Sequence, residues 1–206
     1  MEDCTPKCRC PWVGIGNKLY EDYHDQEWGV PVFDEYKHFE FLILEGAQAG
    51  LSWLTILKRR EGYRQAFANF NPQIVATYDE YKITELLTDE GIIRNRLKIR
   101  SAVNNAQQFL KVQAEFGSFN TYIWQFVGGS PIQNEWKSLE GVPPETHESK
   151  LLSHDLKKRG FTFVGPTVMY AYMQATGLVN DHIYDCFRYQ EIKNTKKNIR
   201  KLRHIP

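Results

Sequence analysis

The sequence predicts an all-α fold, and three observations carry that expectation. Apolar residues recur three and four apart over most of the chain, cap-forming residues stand in front of several of those runs, and no stretch alternates as a half-buried strand would. Phe161-Thr162-Phe163-Val164 is apolar but too short for its period to classify.

Taken in order, Asp34 is an N-cap for a helix whose stripe is Phe39, Leu42, Ile43, Gly46 and Ala47, closed by Gly50. Ser52 caps the next, with Ile56, Tyr63 and Phe67 inward. Asn71-Pro72 reads as a cap followed by proline at the first helical position. A long helix follows Gly91, its apolar line formed by Ile99, Val103, Ala106 and Leu110, with Arg94, Arg96, Lys98 and Arg100 spread around it. A short helix is expected over 119–127. From Gly128 to Glu148, glycines and prolines read as a long surface loop. Ser149 then caps a helix ending at Gly160, Pro166 opens another that stops near Gly177, and Asn180 or Asp181 caps a last one.

The chain has 206 residues, 42% of them hydrophobic, which suits a single domain over 1–192 followed by a basic tail over 193–206. No apolar run approaches a membrane span of roughly 20 residues, and no apolar stretch follows the charged start, so a soluble, cytoplasmic monomer is expected. The formal charge of +1 makes no case for nucleic acid. Six basic residues and no acid lie in the tail, leaving 20 basic and 25 acidic residues elsewhere. Any DNA contact by the body must therefore be a local patch, with Lys58-Arg59-Arg60, 94–100 and Lys157-Lys158-Arg159 as candidates and solvated helix faces as the alternative.

Leu156 to Thr167 reads as a helix end, a tight apolar turn bracketed by glycines, and a helix start, which makes it a helix-hairpin-helix candidate. Such a turn aims backbone N–H groups and a helix dipole at a DNA phosphate, with Gly160, Phe163, Gly165 and Thr167 as the contact residues. An ordinary connection between packed helices is the alternative.

Four cysteines, three of them at Cys4, Cys8 and Cys10 and one at Cys186, do not form a disulfide framework. His182 and Cys186 are four apart and would share one helical face. Structural zinc takes four nitrogen or sulfur ligands, and the N-terminal segment offers Cys10 and His24. A core histidine beside a buried cysteine is the other reading, and Cys4 and Cys8 leave the first ligand open.

Several motifs occur in one order: Cys10-Pro11-Trp12, residues 23–31 (YHDQEWGVP), residues 44–53 (LEGAQAGLSW), Gly91-Ile92-Ile93-Arg94, residues 156–165, and Leu178-Val179-Asn180-Asp181-His182. In that order they resemble the 3-methyladenine DNA glycosylase I family over roughly residues 10 to 187. The resemblance implies a helix-hairpin-helix glycosylase fold with a structural zinc on Cys10, His24, His182 and Cys186, joining the N- and C-terminal segments. It implies double-stranded DNA containing alkylated adenine as the substrate. It also implies Glu45 as the acid of the base pocket, with Tyr23, Trp53, Trp28, Tyr20 and Trp12 as its aromatic surroundings. The chemistry agrees, because adenine methylated at N3 is cationic while attached to its sugar: a carboxylate pairs with its edge and aromatic faces stack on it. Many members of the wider helix-hairpin-helix superfamily carry a catalytic aspartate where this chain has Asn180. With no lysine at an obvious nucleophile position either, a monofunctional enzyme with water as attacker is expected. A non-catalytic DNA-binding module, or a zinc hydrolase using Glu45 as base, would be the competing functions.

Overall fold

The computed structural model describes residues 7–202, with side chains as far as residue 194; Cys4 and residues 203–206 lie outside the described residues. Among the described residues eleven α-helices run in order: α1 (Lys18–Gln26), α2 (Glu35–Gln48), α3 (Trp53–Leu57), α4 (Arg60–Ala66), α5 (Pro72–Val75), α6 (Glu80–Leu86), α7 (Arg96–Phe116), α8 (Phe119–Trp124), α9 (His147–Lys158), α10 (Pro166–Ala175) and α11 (Phe187–Leu202). Two short strands, β1 (Ile132–Gln133) and β2 (Val179–Asn180), pair in parallel. The expectation of a mainly helical chain is met.

By its internal contacts the chain divides into two compact units: a first unit of Met1–Pro31, Ser130–Pro144 and Met173–Pro206, and a second of Val32–Gly129 and Glu145–Tyr172.

In the second unit, α2 is the central element, with every residue from His38 to Ala47 buried. The stripe expected from the sequence is all inside, and so are the positions between. Side-chain caps start the helices: Asp34 accepts from Lys37 N (2.8 Å), Ser52 from Thr55 N (3.2 Å), and Asn95 from Leu97 N (3.0 Å) and Lys98 N (3.1 Å). Each such cap contributes about 1 kcal/mol by satisfying N–H groups that a helix start leaves open. Asn71 caps α5 with Pro72 at its first position, as expected. The single run expected after Ser52 is broken instead into α3 and α4, with Arg59 outside helical geometry between them.

Two expected helix starts are corrected. The cap before α9 is Thr146, not Ser149, which serves as its capping-box partner: Ser149 N donates to Thr146 Oγ1 and Thr146 N to Ser149 Oγ. No helix begins at Asn180 or Asp181. Asn180 is committed to β2, its backbone carbonyl accepting from Asn134 N, and the last helix starts only at Phe187. The tail expected over 193–206 belongs to α11 as far as Leu202.

The first unit is held by close backbone packing around its strand pair. Gly177 (φ +67°) is required there, because a Cβ at that position would stand 2.4 Å from the Val30 carbonyl carbon. Among the described residues no helix is long and apolar enough to cross a membrane.

Candidate functional site

Helix α2 buries three ionisable side chains, and they differ in what surrounds them. His38 Nε2 donates to Asn120 Oδ1 (3.3 Å), which leaves Nδ1 to accept from the Tyr172 hydroxyl (2.7 Å); burial pushes this imidazole down to about 4, so it is neutral. Glu40 lies among Lys37 (3.0 Å), Arg60 (2.7 Å) and Arg64 (3.3 Å). Glu45, 4% exposed, makes no hydrogen bond or salt bridge to any described residue. Burial alone pushes its carboxyl up to about 8. A buried acid without a partner costs several kcal/mol in its charged form, so it needs a function to explain it.

Glu45 opens onto a cavity of about 200 Å³ within the second unit. One wall is the end of α2 and the segment behind it, Gln48 to Leu51; the facing wall is Thr167, Val168 and Ala171 of α10. Trp53 begins α3 two residues beyond that first wall. Thr167, read from the sequence as a DNA contact, lines this cavity with Glu45. Val168 and Ala171 carried no signal in the sequence and Gln48 stood only as a member of the 44–53 motif, since only the approach of α10 gives them a common space.

The hairpin between α9 and α10 is braced by side chains of its neighbours. Asn105 of α7 takes both backbone polar groups of Thr162, accepting from its N–H (2.9 Å) and donating to its carbonyl (2.9 Å). Asn104 Nδ2 donates to Gly160 O (2.8 Å), and Ser153 Oγ to Val164 O (2.6 Å). Phe163 is held at φ +55°, a conformation costly for a residue with a Cβ, and it packs on the bare backbone of Gly46. Much of the basic charge flagged in the sequence is neutralised within the protein: Arg96 and Arg100 pair with Glu80, and Arg159 with Glu115 and Asp155.

In the first unit, Cys10, His24, His182 and Cys186 are all buried, and their ligand atoms lie within 4.8 Å of one another. His182 Nδ1 is 3.6 Å from Cys10 Sγ and 3.5 Å from Cys186 Sγ, and His24 Nε2 is 3.4 Å from Cys186 Sγ. The other ring nitrogens point outward to acceptors. His24 Nδ1 donates to Asp25 (2.8 Å), itself gripped by Arg9 through two hydrogen bonds, and His182 Nε2 donates to Trp28 O (3.0 Å). Those outer bonds fix both tautomers so that the inner lone pairs face the thiols, with His24 Nε2 also accepting a long bond from Cys10 N (3.4 Å). The cluster can hold a metal ion. His182 and Cys186 reach it from a turn rather than the helix that their spacing suggested, for Cys186 N bonds Ile183 O just before α11 begins.

Two of the rings expected around a base pack on this cluster, Trp12 at 5.4 Å from His24 and Trp28 at 4.6 Å from His182 between ring centroids, and Tyr20 and Tyr23 lie 5.5 and 6.3 Å from Trp12. The Trp12 indole N–H is buried without a hydrogen-bond partner among the described residues. Asp181, a lesser candidate for activating water, accepts from Asn134 (2.6 Å), Trp136 (2.9 Å) and Gln174 (2.8 Å), and so works as a brace.

Comparison with solved structures places this fold with the DNA glycosylases. A structure described as 3-methyladenine DNA glycosylase I is 48% identical, with TM-score 0.85, covering 87% of this chain and 98% of that one. A variant of 3-methyladenine DNA glycosylase I in complex with 3-methyladenine is 37% identical, with TM-score 0.84 and coverage of 87% and 96%. The DNA-3-methyladenine glycosylase of Haemophilus influenzae is 49% identical over 178 residues, 86% of this chain and 96% of that protein. The methyladenine glycosylase family model matches residues 12–189, and the chain belongs to that family.

Proposed function

We propose that this protein releases 3-methyladenine from alkylated double-stranded DNA by hydrolysing the bond between base and sugar, leaving an abasic site and an intact strand, as a step of base-excision repair. The observation that carries the proposal is Glu45: an unpaired, buried carboxyl at the head of a cavity, on a helix whose other buried ionisable groups all have partners. An N3-methylated purine brings the cation that the site lacks. A normal adenine is neutral and leaves the charged carboxylate uncompensated, so discrimination resides in one electrostatic contact. The lesion is already a good leaving group. Holding it out of the stack and favouring its cationic form then supplies much of the catalysis, with water as attacker.

Tyr23, Tyr20, Trp12, Trp28 and Trp53 are proposed as the stacking surfaces for the base on the strength of the motif match alone. The hairpin carrying Gly160, Phe163 and Gly165 is proposed as a helix-hairpin-helix phosphate contact. Its bracing by Asn104, Asn105 and Ser153 keeps its backbone groups in place before DNA arrives.

Zinc is the proposed occupant of the Cys10, His24, His182 and Cys186 cluster. Tetrahedral zinc at its usual bond lengths separates sulfur from nitrogen by about 3.5 Å, which agrees with the 3.4 to 3.6 Å found here. Four protein ligands would fill its coordination, so it would supply rigidity to the chain ends and take no part in bond cleavage.

The test is base release from methylated DNA, analysed by product. Parent enzyme is expected to yield free 3-methyladenine and alkali-sensitive sites, and Glu45→Gln to slow release about a hundredfold, as removal of one strong electrostatic contact does. Release by the Glu45→Gln variant at the parent rate overturns the assignment of Glu45. Methylated DNA left chemically unchanged by the parent would make the protein a binding module instead.

A further inference from the structure

We propose that Lys98 is a positioning residue for the cavity at Glu45: its ammonium group ties down the end of α2 and thereby sets where the wall from Gln48 to Leu51 stands. Lys98 Nζ donates to Ala47 O (2.8 Å) and Ala49 O (2.7 Å), two carbonyls at the point where α2 stops and the chain turns away. A helix leaves its last carbonyls without partners, and a cation there also meets the negative end of the helix dipole.

Three features separate this lysine from an ordinary surface charge. Its basic neighbours on the same stretch are ion-paired, Arg94 with Glu90, and Arg96 and Arg100 with Glu80, whereas Lys98 forms no salt bridge to a described residue and points at backbone alone. Burial lowers its pKa, so the contact is maintained against a desolvation cost. The wall that it anchors has little packing of its own, since Gly50 and Leu51 are exposed and Gln48 and Ala49 only half-buried. A clamp on both sides of Gln48 holds that wall at a fixed distance from Glu45, one turn earlier on the same helix. Catalysis that depends on seating a base against one carboxylate is sensitive to displacements of about 1 Å, which cost on the order of a hundredfold.

The inference rests on the glycosylase reading, and the experiment separates the two. Single-turnover release of 3-methyladenine is measured with enzyme in excess, below the melting temperature of every variant, alongside amide hydrogen exchange over residues 48–51. Lys98→Met keeps the length of the chain and removes its donors; it should slow release about tenfold or more per folded molecule and speed exchange at 48–51. Lys98→Arg keeps donors for both carbonyls and should restore release to within about threefold of the parent. A K98M protein that melts earlier but releases base at the parent rate shows a merely stabilising cap and overturns the inference, leaving the glycosylase reading intact. A parent that releases no base overturns that reading and this inference with it. Should K98M fail to fold, Lys98→Gln, which retains one donor, is judged by the same criteria.

Discussion

The Sγ of Cys186 stands 3.4 Å from Nε2 of His24, although 162 residues separate them in the chain. The Cys186 thiol is pulled well down by its hydrogen bond with Cys10 and by the two histidines, while the shared hydrogen bond with Cys186 and burial push Cys10 up. A bound cation would favour the thiolate form of both and so relieve that imbalance. The protein is therefore expected to contain one zinc per chain by elemental analysis. Stripping it with a chelator should lower the melting temperature without abolishing the helical circular dichroism of the second unit. Asp25→Asn, which weakens the grip on the outer nitrogen of His24, should reduce zinc affinity about 10- to 100-fold in a competition titration. A zinc-free protein that melts unchanged would remove the structural role.

On the proposed role of Glu45, the pH dependence of excision follows from its carboxyl. The free enzyme must lose the Glu45 proton to pair with a cationic base, and that group titrates at about 8. kcat/KM should therefore rise with pH, about tenfold per unit, up to a plateau above 8. Glu45→Gln should flatten the profile. A parent profile that is flat between pH 6 and 8, after correction for spontaneous base loss, contradicts the pairing.

Stability should change in the opposite sense. The Glu45 carboxyl is raised in the folded protein from 4.5 to about 8, so within that window the folded state holds a proton that the unfolded chain has released. Its contribution is complete below 4.5 and is lost as pH rises through 8, on the order of a few kcal/mol in all. Glu45→Gln should therefore melt near the parent at pH 4.5 and several degrees above it at pH 8.5. Differential scanning calorimetry at the two values decides it, and a gap that narrows with rising pH would contradict the burial of an unpaired acid.

The hairpin brace can be probed apart from the base site. Asn105→Ala removes its two bonds to the Thr162 backbone, next to the left-handed Phe163, and leaves Thr162 held, among the described residues, only by Ser101. Affinity for undamaged duplex should fall about tenfold, an energy of the order of two lost hydrogen bonds. Binding of free 3-methyladenine, which needs no phosphate contact, should stay within about twofold of the parent. Equal losses in the two titrations would place Asn105 in general stability rather than in the DNA contact.

Much of the second unit was legible in the residues themselves. Asp34, Ser52 and Asn71 cap helices because their side chains bond N–H groups two or three residues away, and that chemistry is written locally. The stripe on α2 announced its burial by period alone. The four metal-ligand candidates could be gathered because histidine and cysteine are few and the motif order pairs the chain ends. Helix α1 escaped notice, since Lys18–Gln26 is largely polar and its inward residues, Tyr23 and His24, are not aliphatic. Helix α6, capped by Asp79, escaped too, with Ile83 and Leu86 its only fully buried residues.

What the sequence determined by itself is therefore the helical class, most of the helix starts, and which side chains are chemically fit for a base pocket and a metal. Tertiary structure alone decided that Glu40 and His38 are answered while Glu45 is not, that His182 and Cys186 converge from a turn, and that Lys98 in a basic run reaches Ala47 and Ala49 instead of solvent. The physical reason is range. Caps and periodicity act over a turn or two of chain, whereas the partner of a buried charge is set by elements tens of residues away, brought alongside only when the whole core closes.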